Sequence, residues 1–221
     1  MISFYLKVNT KEIESNMQIN KRIFLFFILL ATGLAMTVAQ AEPLSKGMGI
    51  VKRLSAEHGN DAKVSVQMRL AHTSSSRRSF QLGNKIHIEV SSPQSGFLYL
   101  LDINSKGQLT VIFPNRFSKQ NKHLKAKQPI IIPDENYGFD FVIQEPMGNS
   151  LLVALLVAED FMANVLPKEF EQIETAEADK TLKKLRALLN DMLQQDDTDE
   201  LPVSVITLDY EVVAKNKTAK R

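Results

Sequence analysis

The sequence predicts a mainly β protein, a β-sandwich-like domain of about seven or eight strands with a helical segment before the last strand. Several short runs alternate apolar and polar residues with a period of two, and turn residues separate them, as in sandwich domains. One longer stretch, from about 167 to 195, instead has apolar residues at helical spacing. The 221 residues, 44% of them hydrophobic, are enough to bury one core.

Residues 1–41 are predicted to be a secretory signal peptide. The basic pair Lys21-Arg22 precedes an apolar run of 16 residues, and Ala39-Gln40-Ala41 places small residues where a signal peptidase reads them. A retained membrane anchor is the alternative, but 16 residues fall short of the roughly 20 that a spanning helix needs. Met17 would be a more typical start, which leaves open whether residues 1–16 are translated. The expected location is periplasmic or secreted, with no membrane span after cleavage.

Charge and cysteine content exclude several classes of function. The formal net charge of +2 is accounted for by four basic and two acidic residues within the leader, so the remainder is neutral. No nucleic-acid partner is therefore expected, and attraction to a polyanion would need a local cluster of cations. The absence of cysteine excludes disulfides, thiolate zinc sites and thiol catalysis.

The clearest local pattern is a β-hairpin in residues 96–115, GFLYLLDINSKGQLTVIFPN. Its first arm is apolar on both faces as far as Asp102, which is typical of a strand inside a sheet. The turn 104–107 ends in Gly107, where a positive φ is predicted for a type I turn that closes on a bulge. The return arm alternates up to Phe113, and Pro114 ends it.

The rest of the mature chain follows the same reasoning. Residues 42–63 show no sustained period and are expected to be a flexible N-terminal segment with at most a short helical turn. The domain is expected to span 64–213, and the basic tail 214–221 is expected to be disordered. Further strands are predicted near 64–70, 85–90, 130–132, 139–143, 151–158 and 202–213, with the proline-bracketed 130–132 at a sheet edge.

A basic loop, residues 116–128, carries five cations and no acidic residue. It is the candidate partner-binding surface. In one interpretation its lysines are solvated and keep neighbouring sheet edges from pairing. In the other interpretation the lysines face an anionic partner and raise the rate at which it associates. The five cations are Arg116, Lys119, Lys122, Lys125 and Lys127.

No catalytic, cofactor or metal site is predicted. The chain lacks a nucleophile elbow, a zinc-protease helix, a phosphate-binding loop and a cysteine nucleophile. The turn after Asp102 begins like a calcium-binding loop, but Lys106 and Phe113 occupy two of the positions that need oxygen ligands.

The hairpin resembles the hallmark of a bacterial family catalogued as a domain of unknown function, number 4384 in its series. The matching segments are Gly96 to Asp102, Ile112 to Asn115, Ile130 to Pro133 and Glu145 to Gly148. The resemblance covers about 64–213 and is densest from 80 to 157. Its hallmark, together with the predicted turn glycine, marks these positions as structurally important: Gly96, Tyr99, Asp102, Gly107, Phe113, Pro114, Asn115, Pro146 and Gly148.

This resemblance implies a β-sandwich-like module found on secreted or envelope proteins, often attached to caspase-like peptidase or protein kinase domains. No catalytic residue carries over from the family. The expected function is an exported, non-enzymatic interaction or accessory module whose partner is another envelope protein. The alternatives are a binding module for an anionic envelope polymer or lipid, and a hydrolase of unrecognised type. A polar pocket with several carboxylates or a Ser/His pair would favour the hydrolase, and a sealed apolar core would count against it.

Overall fold

A computed structural model describes residues 45–59, 63–116, 122–134, 140–160, 165–195 and 203–215. The predicted leader, Lys119 and most of the basic tail lie outside these residues. No helix in the described part is long and apolar enough to cross a membrane. The elements are α1 (Lys46–Glu57), β1 (Ser65–Leu70), β2 (Ser79–Gln81), β3 (Lys85–Ser91), β4 (Gly96–Ile103), β5 (Leu109–Phe113), β6 (His123–Leu124), β7 (Ile130–Ile132), β8 (Phe141–Val142), β9 (Gly148–Val157), β10 (Gln172–Ile173), α2 (Thr175–Gln195) and β11 (Ser204–Val213).

The strands form two sheets, which confirms the predicted mainly β, sandwich-like architecture. The larger sheet has the order β10-β5-β4-β9-β11-β2, with β6 also pairing with β4. The smaller sheet has the order β1-β3-β7, with β8 pairing with β3. The described residues contain eleven strands, more than the seven or eight predicted, because β2, β6 and β10 have only two or three residues and too little pattern to be predicted.

Two hydrophobic cores lie on opposite faces of the larger sheet. Between the sheets, Leu98 and Leu100 of β4 pack with Ile88 of β3. On the other face, Leu101 of β4 and Val153 of β9 pack against the two helices. Each fully buried aliphatic side chain contributes about 1.5–3 kcal/mol, so the doubly buried strands β4 and β9 anchor the fold. The prediction that the first hairpin arm is an inner strand is confirmed, because β4 lies between β5 and β9.

The N-terminal segment is the main correction to the sequence interpretation. Residues 46–57, expected to be flexible, form the helix α1, and the Ser45 side chain accepts a hydrogen bond from the Met48 backbone at 3.3 Å. Met48, Val51 and Leu54 are buried in the core against the larger sheet. The helix is stabilised by this burial, whereas its two glycines weaken the local helical signal that sequence reasoning depends on.

The predicted hairpin and helical segment are confirmed with shifted bounds. The Gly107 N–H donates to the Asn104 carbonyl at 2.8 Å, and Gly107 has a φ of 80°, as its turn requires. The helix α2 begins at Thr175 instead of about 167, because the chain first adds β10 to the edge of the larger sheet. The strand Ile130–Ile132 lies at an edge of the smaller sheet, as its flanking prolines predicted.

Candidate ligand-binding cleft

A cleft of about 310 Å³ lies between the two sheets, beside β8. Its walls are mostly apolar and its floor is polar, and its volume is near the lower end of the range for small-molecule sites. The lining residues on the smaller sheet include Ile86 and Ile88, and those on the larger sheet include Asp102, Ser150 and Tyr210.

A partly buried hydrogen bond between Asp102 and Tyr210 forms part of the cleft floor. The Tyr210 hydroxyl donates to Asp102 Oδ1 at 2.7 Å. The two residues lie on β4 and β11, the strands on either side of β9, so the tyrosine reaches across one strand. The Tyr210 ring is held edge-on by Phe80, with ring centroids 6.2 Å apart.

The environment of this pair alters the ionisation of both groups. Burial raises the pKa of Asp102 to about 6, and the hydrogen bond from Tyr210 opposes that rise. Burial also raises the pKa of Tyr210, and the nearby Asp102 carboxylate adds to the increase. At neutral pH the floor therefore holds a carboxylate and a protonated phenol, and the Asp102 residue as a whole is partly exposed in the cleft lining.

The Ser150 hydroxyl is the second unusual group at the floor. Ser150 pairs directly with Tyr210 across β9 and β11, and only 2% of the residue is exposed. Its hydroxyl lies close enough to Tyr210 to oppose the rise in the pKa of that phenol, yet Ser150 Oγ forms no hydrogen bond of normal geometry within the described part of the chain. A buried hydroxyl without a full partner costs about 1–3 kcal/mol, and a bound ligand can remove that cost.

Aromatic side chains form one side of the cleft mouth. Phe141 and Phe170 contact each other edge to face, with ring centroids 6.1 Å apart. Phe170 is 36% exposed and has a φ of 58°, a left-handed conformation that costs a bulky residue about 1–2 kcal/mol. Such local strain is often found at functional sites.

The charged residues that line the cleft are all acidic among the residues that the structure describes. They are Asp102 at the floor, and Asp140 and Glu145 elsewhere in the lining. Lys85 Nζ lies 2.5 Å from Asp140 and neutralises it. The described ion pairs include none with Asp102, so the buried carboxylate is balanced only by its hydrogen bond from Tyr210.

Residues 79–160 match the family model described as Domain of unknown function (DUF4384). Over these residues the chain is similar to that family. The match confirms the resemblance predicted from the hairpin and the segments that follow it. No curated protein and no solved structure matches the chain.

The DUF4384 segment supplies only part of the cleft. It contains Asp102, Ser150 and Phe141, whereas Tyr210 and Phe170 come from the chain that follows it. Sequence reasoning named Asp102 as structural but missed the other four residues. No local signal could have found them, because Phe170 lies in the stretch predicted to be helical and the remaining residues lie in ordinary strand patterns.

The family positions predicted to be structurally important have local explanations. A Cβ at Gly96 would lie 2.9 Å from the Val157 carbonyl oxygen, so only glycine fits between β4 and β9. Gly148 has a φ of 114°, and the Asn115 side-chain amide donates to the Ile112 carbonyl at 2.8 Å. Phe113 is fully buried between the sheets, and cis peptide bonds precede both family prolines, Pro114 and Pro146.

The predicted basic loop is partly neutralised by residues that are distant in sequence. Lys122 forms an ion pair with Asp160, which also accepts a hydrogen bond from Tyr99. Both contacts, with that from Lys122 the stronger, lower the pKa of Asp160. Within the loop sequence no carboxylate offers neutralisation, but the folded chain supplies Asp160 from the end of β9.

A second acidic residue reaches the same loop, since Arg116 lies 3.9 Å from Glu169. Lys125 and Lys127 are exposed, and Lys119 lies outside the described residues. A smaller cavity of about 230 Å³ opens beside the Tyr99, Lys122 and Asp160 cluster. The loop therefore does not form the uniformly unpaired cationic surface that its sequence suggests.

Proposed function

We propose that this protein is an exported, non-catalytic binding module of the cell envelope, and that the cleft between the sheets is its recognition site. The observation that carries the proposal is the combination of apolar walls with a buried, partly unsatisfied polar floor. Such clefts bind by enclosing an apolar group and orienting it through a few polar contacts. The partner is another envelope protein or a small molecule that this protein presents to one.

Export is supported by the sequence of the leader. The proposal requires cleavage after Ala41 and release of the chain beyond it. Mass spectrometry of the protein recovered from cells should find a mature N-terminus at Glu42. An intact leader on a membrane-integral product would contradict export as a free module.

The recognition site can be tested with a pair of matched variants. Gln144 is exposed and lines the cleft, whereas Gln94 is exposed in the loop after β3, away from the end of β3 that pairs with β8. We expect Gln144→Trp to obstruct the cleft and reduce partner capture from crosslinked envelope fractions several-fold. Gln94→Trp should leave capture unchanged, and both variants should keep the wild-type unfolding midpoint because both sites are exposed. Equal capture by the two variants would place the recognition surface elsewhere.

Hydrolysis is the second candidate function, since the cleft contains the several carboxylates that would favour it. Asp102, with its pKa near 6, has the ionisation expected of a general acid or base. A panel of chromogenic ester, amide and glycoside substrates tests this candidate. Turnover that is lost in Asp102→Asn would support catalysis, and no turnover above that of the variant would leave binding as the function.

Binding of an anionic envelope polymer or lipid is the third candidate. The exposed Lys125 and Lys127 support this candidate. The ion pairs of Arg116 and Lys122 weaken it, because the candidate was based on a loop of unpaired cations. It predicts binding that falls steeply with salt concentration.

A further inference from the structure

We propose that the cleft binds an organic cation, an ammonium or guanidinium group carried on an apolar stem. This inference rests on the proposed function because it assigns a ligand class to the same cleft. Four features of the cleft support it: the sign of its charges, an uncompensated carboxylate, an unpartnered hydroxyl and apolar walls.

The charge of the lining selects for a cation. No lysine, arginine or histidine lines the cleft among the described residues, whereas three carboxylates do. Asp140 is already paired with Lys85 and Glu145 is exposed, which leaves Asp102 as the least exposed carboxylate of the lining and one without an ion pair in the described structure. A buried carboxylate without a cation is costly, and a positively charged ligand that reaches it removes much of that cost.

The polar floor offers hydrogen-bond acceptors that such a head group requires. An ammonium has three N–H donors and a guanidinium has five, and neither can accept. The Asp102 carboxylate and the Ser150 hydroxyl are acceptors on neighbouring strands, and the Ser150 hydroxyl is unpartnered in the described structure. The pairing of a charged acceptor with an unsatisfied neutral one distinguishes this floor from a merely acidic surface.

The walls define the rest of the ligand. Ile112, Phe141 and Phe170 are apolar, and the two rings can also attract a cation as it enters. The apolar walls favour an organic cation, and the described residues contain no group of three or more acidic or histidine side chains that could hold a metal ion. A volume of about 310 Å³ limits it to a small molecule or a single basic side chain.

The decisive experiment compares three probes of equal length on the mature wild-type protein. Isothermal titration calorimetry at pH 8 should show saturable binding of the hexylammonium ion, at least about tenfold tighter than hexan-1-ol and hexanoate. N-acetyl-lysine amide and N-acetyl-arginine amide form a second arm, which distinguishes a free amine from a basic side chain of a protein. Equal affinity for the alcohol, preference for hexanoate, or no binding of any cationic probe would overturn the inference.

The dependence on pH gives a second readout that needs no variant. Because Asp102 must be ionised to attract the cation, affinity for hexylammonium should fall about tenfold between pH 8 and pH 5. Tyr210 stays protonated throughout this range, and Asp140 and Glu145 are the other titratable groups in the lining. An affinity that does not change with pH would exclude Asp102 as the recognition group.

Two matched variants complete the test. Asp102→Asn keeps the shape of the floor and should weaken binding of hexylammonium at least about tenfold, while Asp191→Asn on the exposed face of α2 should not change it. Ser150→Ala should weaken binding less, because it removes a neutral partner. If no cation binds but Gln144→Trp still reduces partner capture several-fold, the ligand class is wrong and the proposed function stands. If capture also survives in Gln144→Trp, both are wrong.

Discussion

Replacing Asp102 with asparagine should stabilise the protein above pH 7, although it removes a side chain at the centre of the family hallmark. The folded protein raises the pKa of this carboxyl from 3.8 to about 6, chiefly through burial. A pKa that is higher in the folded state means that the folded state holds the proton more tightly. The stability from this group is therefore complete below about pH 4 and is lost as the pH rises through 6.

The magnitude follows from the two pKa values. A difference of about 2 corresponds to about 3 kcal/mol between acid and neutral pH. Asparagine keeps an oxygen acceptor for Tyr210, but an amide accepts a weaker hydrogen bond than a carboxylate does. The weaker bond reduces the gain from removing the buried charge by about 1 kcal/mol. The expected net gain in the free energy of unfolding is about 2 kcal/mol at pH 8. At pH 4 the gain should vanish or change sign.

Urea unfolding of wild type and variant at intervals from pH 4 to pH 8 measures this effect. The difference in the free energy of unfolding should grow between about pH 4 and pH 6 and level off above that. Asp191→Asn, at an exposed site on α2, should show no such growth. An Asp102→Asn protein that is less stable than wild type at pH 8, or a difference that does not vary with pH, would refute the description of Asp102 as a buried, uncompensated carboxylate.

Three further predictions concern the turn, the cleft mouth and the basic loop. Gly107→Val should lower the free energy of unfolding by clearly more than the roughly 1 kcal/mol expected for Gly83→Val. Both glycines have a positive φ, but only at Gly107 would an added Cβ lie 2.7 Å from another carbon. Equal shifts in the urea midpoint would contradict this. Phe170→Gly should be more stable than Phe170→Ala by about 1 kcal/mol, because glycine relieves the left-handed strain, and an alanine variant that is more stable would show that the strain is absent. Changing Lys125 and Lys127 together to Gln should change the free energy of unfolding by no more than about 0.5 kcal/mol per site and should leave partner capture unchanged. Weaker capture with a flatter salt dependence would instead favour the anionic-polymer candidate.

The position of the cleft within the domain bears on how the family segment works. Residues 79–160 provide β4 and β9 but not β11, which pairs with β9 along most of its length. The DUF4384 segment thus supplies Asp102, and the following chain supplies the Tyr210 hydroxyl that holds it. If the cleft is the recognition site, as we propose, exchange of the segment after residue 160 between related domains should change its ligand.

Local patterns in the sequence determined the class of fold and its most regular elements. Two-sided apolar runs predicted the buried strands β4 and β9, and a polar turn ending in glycine predicted the conformation of Gly107. These features depend on neighbours only a few residues apart, so a single sequence shows them. The match of Gly96 to Asn115 with a family hallmark added the expectation of a β-sandwich-like module, which the two sheets confirm.

Only the tertiary structure decided what lies opposite each polar side chain. Tyr210 meets Asp102 across 108 residues of sequence because β9 separates their strands in the larger sheet. The fold likewise brings Asp160 to Lys122 from a distant part of the sequence, although no acidic residue lies within the basic loop itself. The helix α1 likewise depends on packing, since its buried face is stabilised by contact with the sheet more than by its own glycine-containing sequence. Strand order and register are properties of the whole chain, and the periodicity of one segment does not contain them.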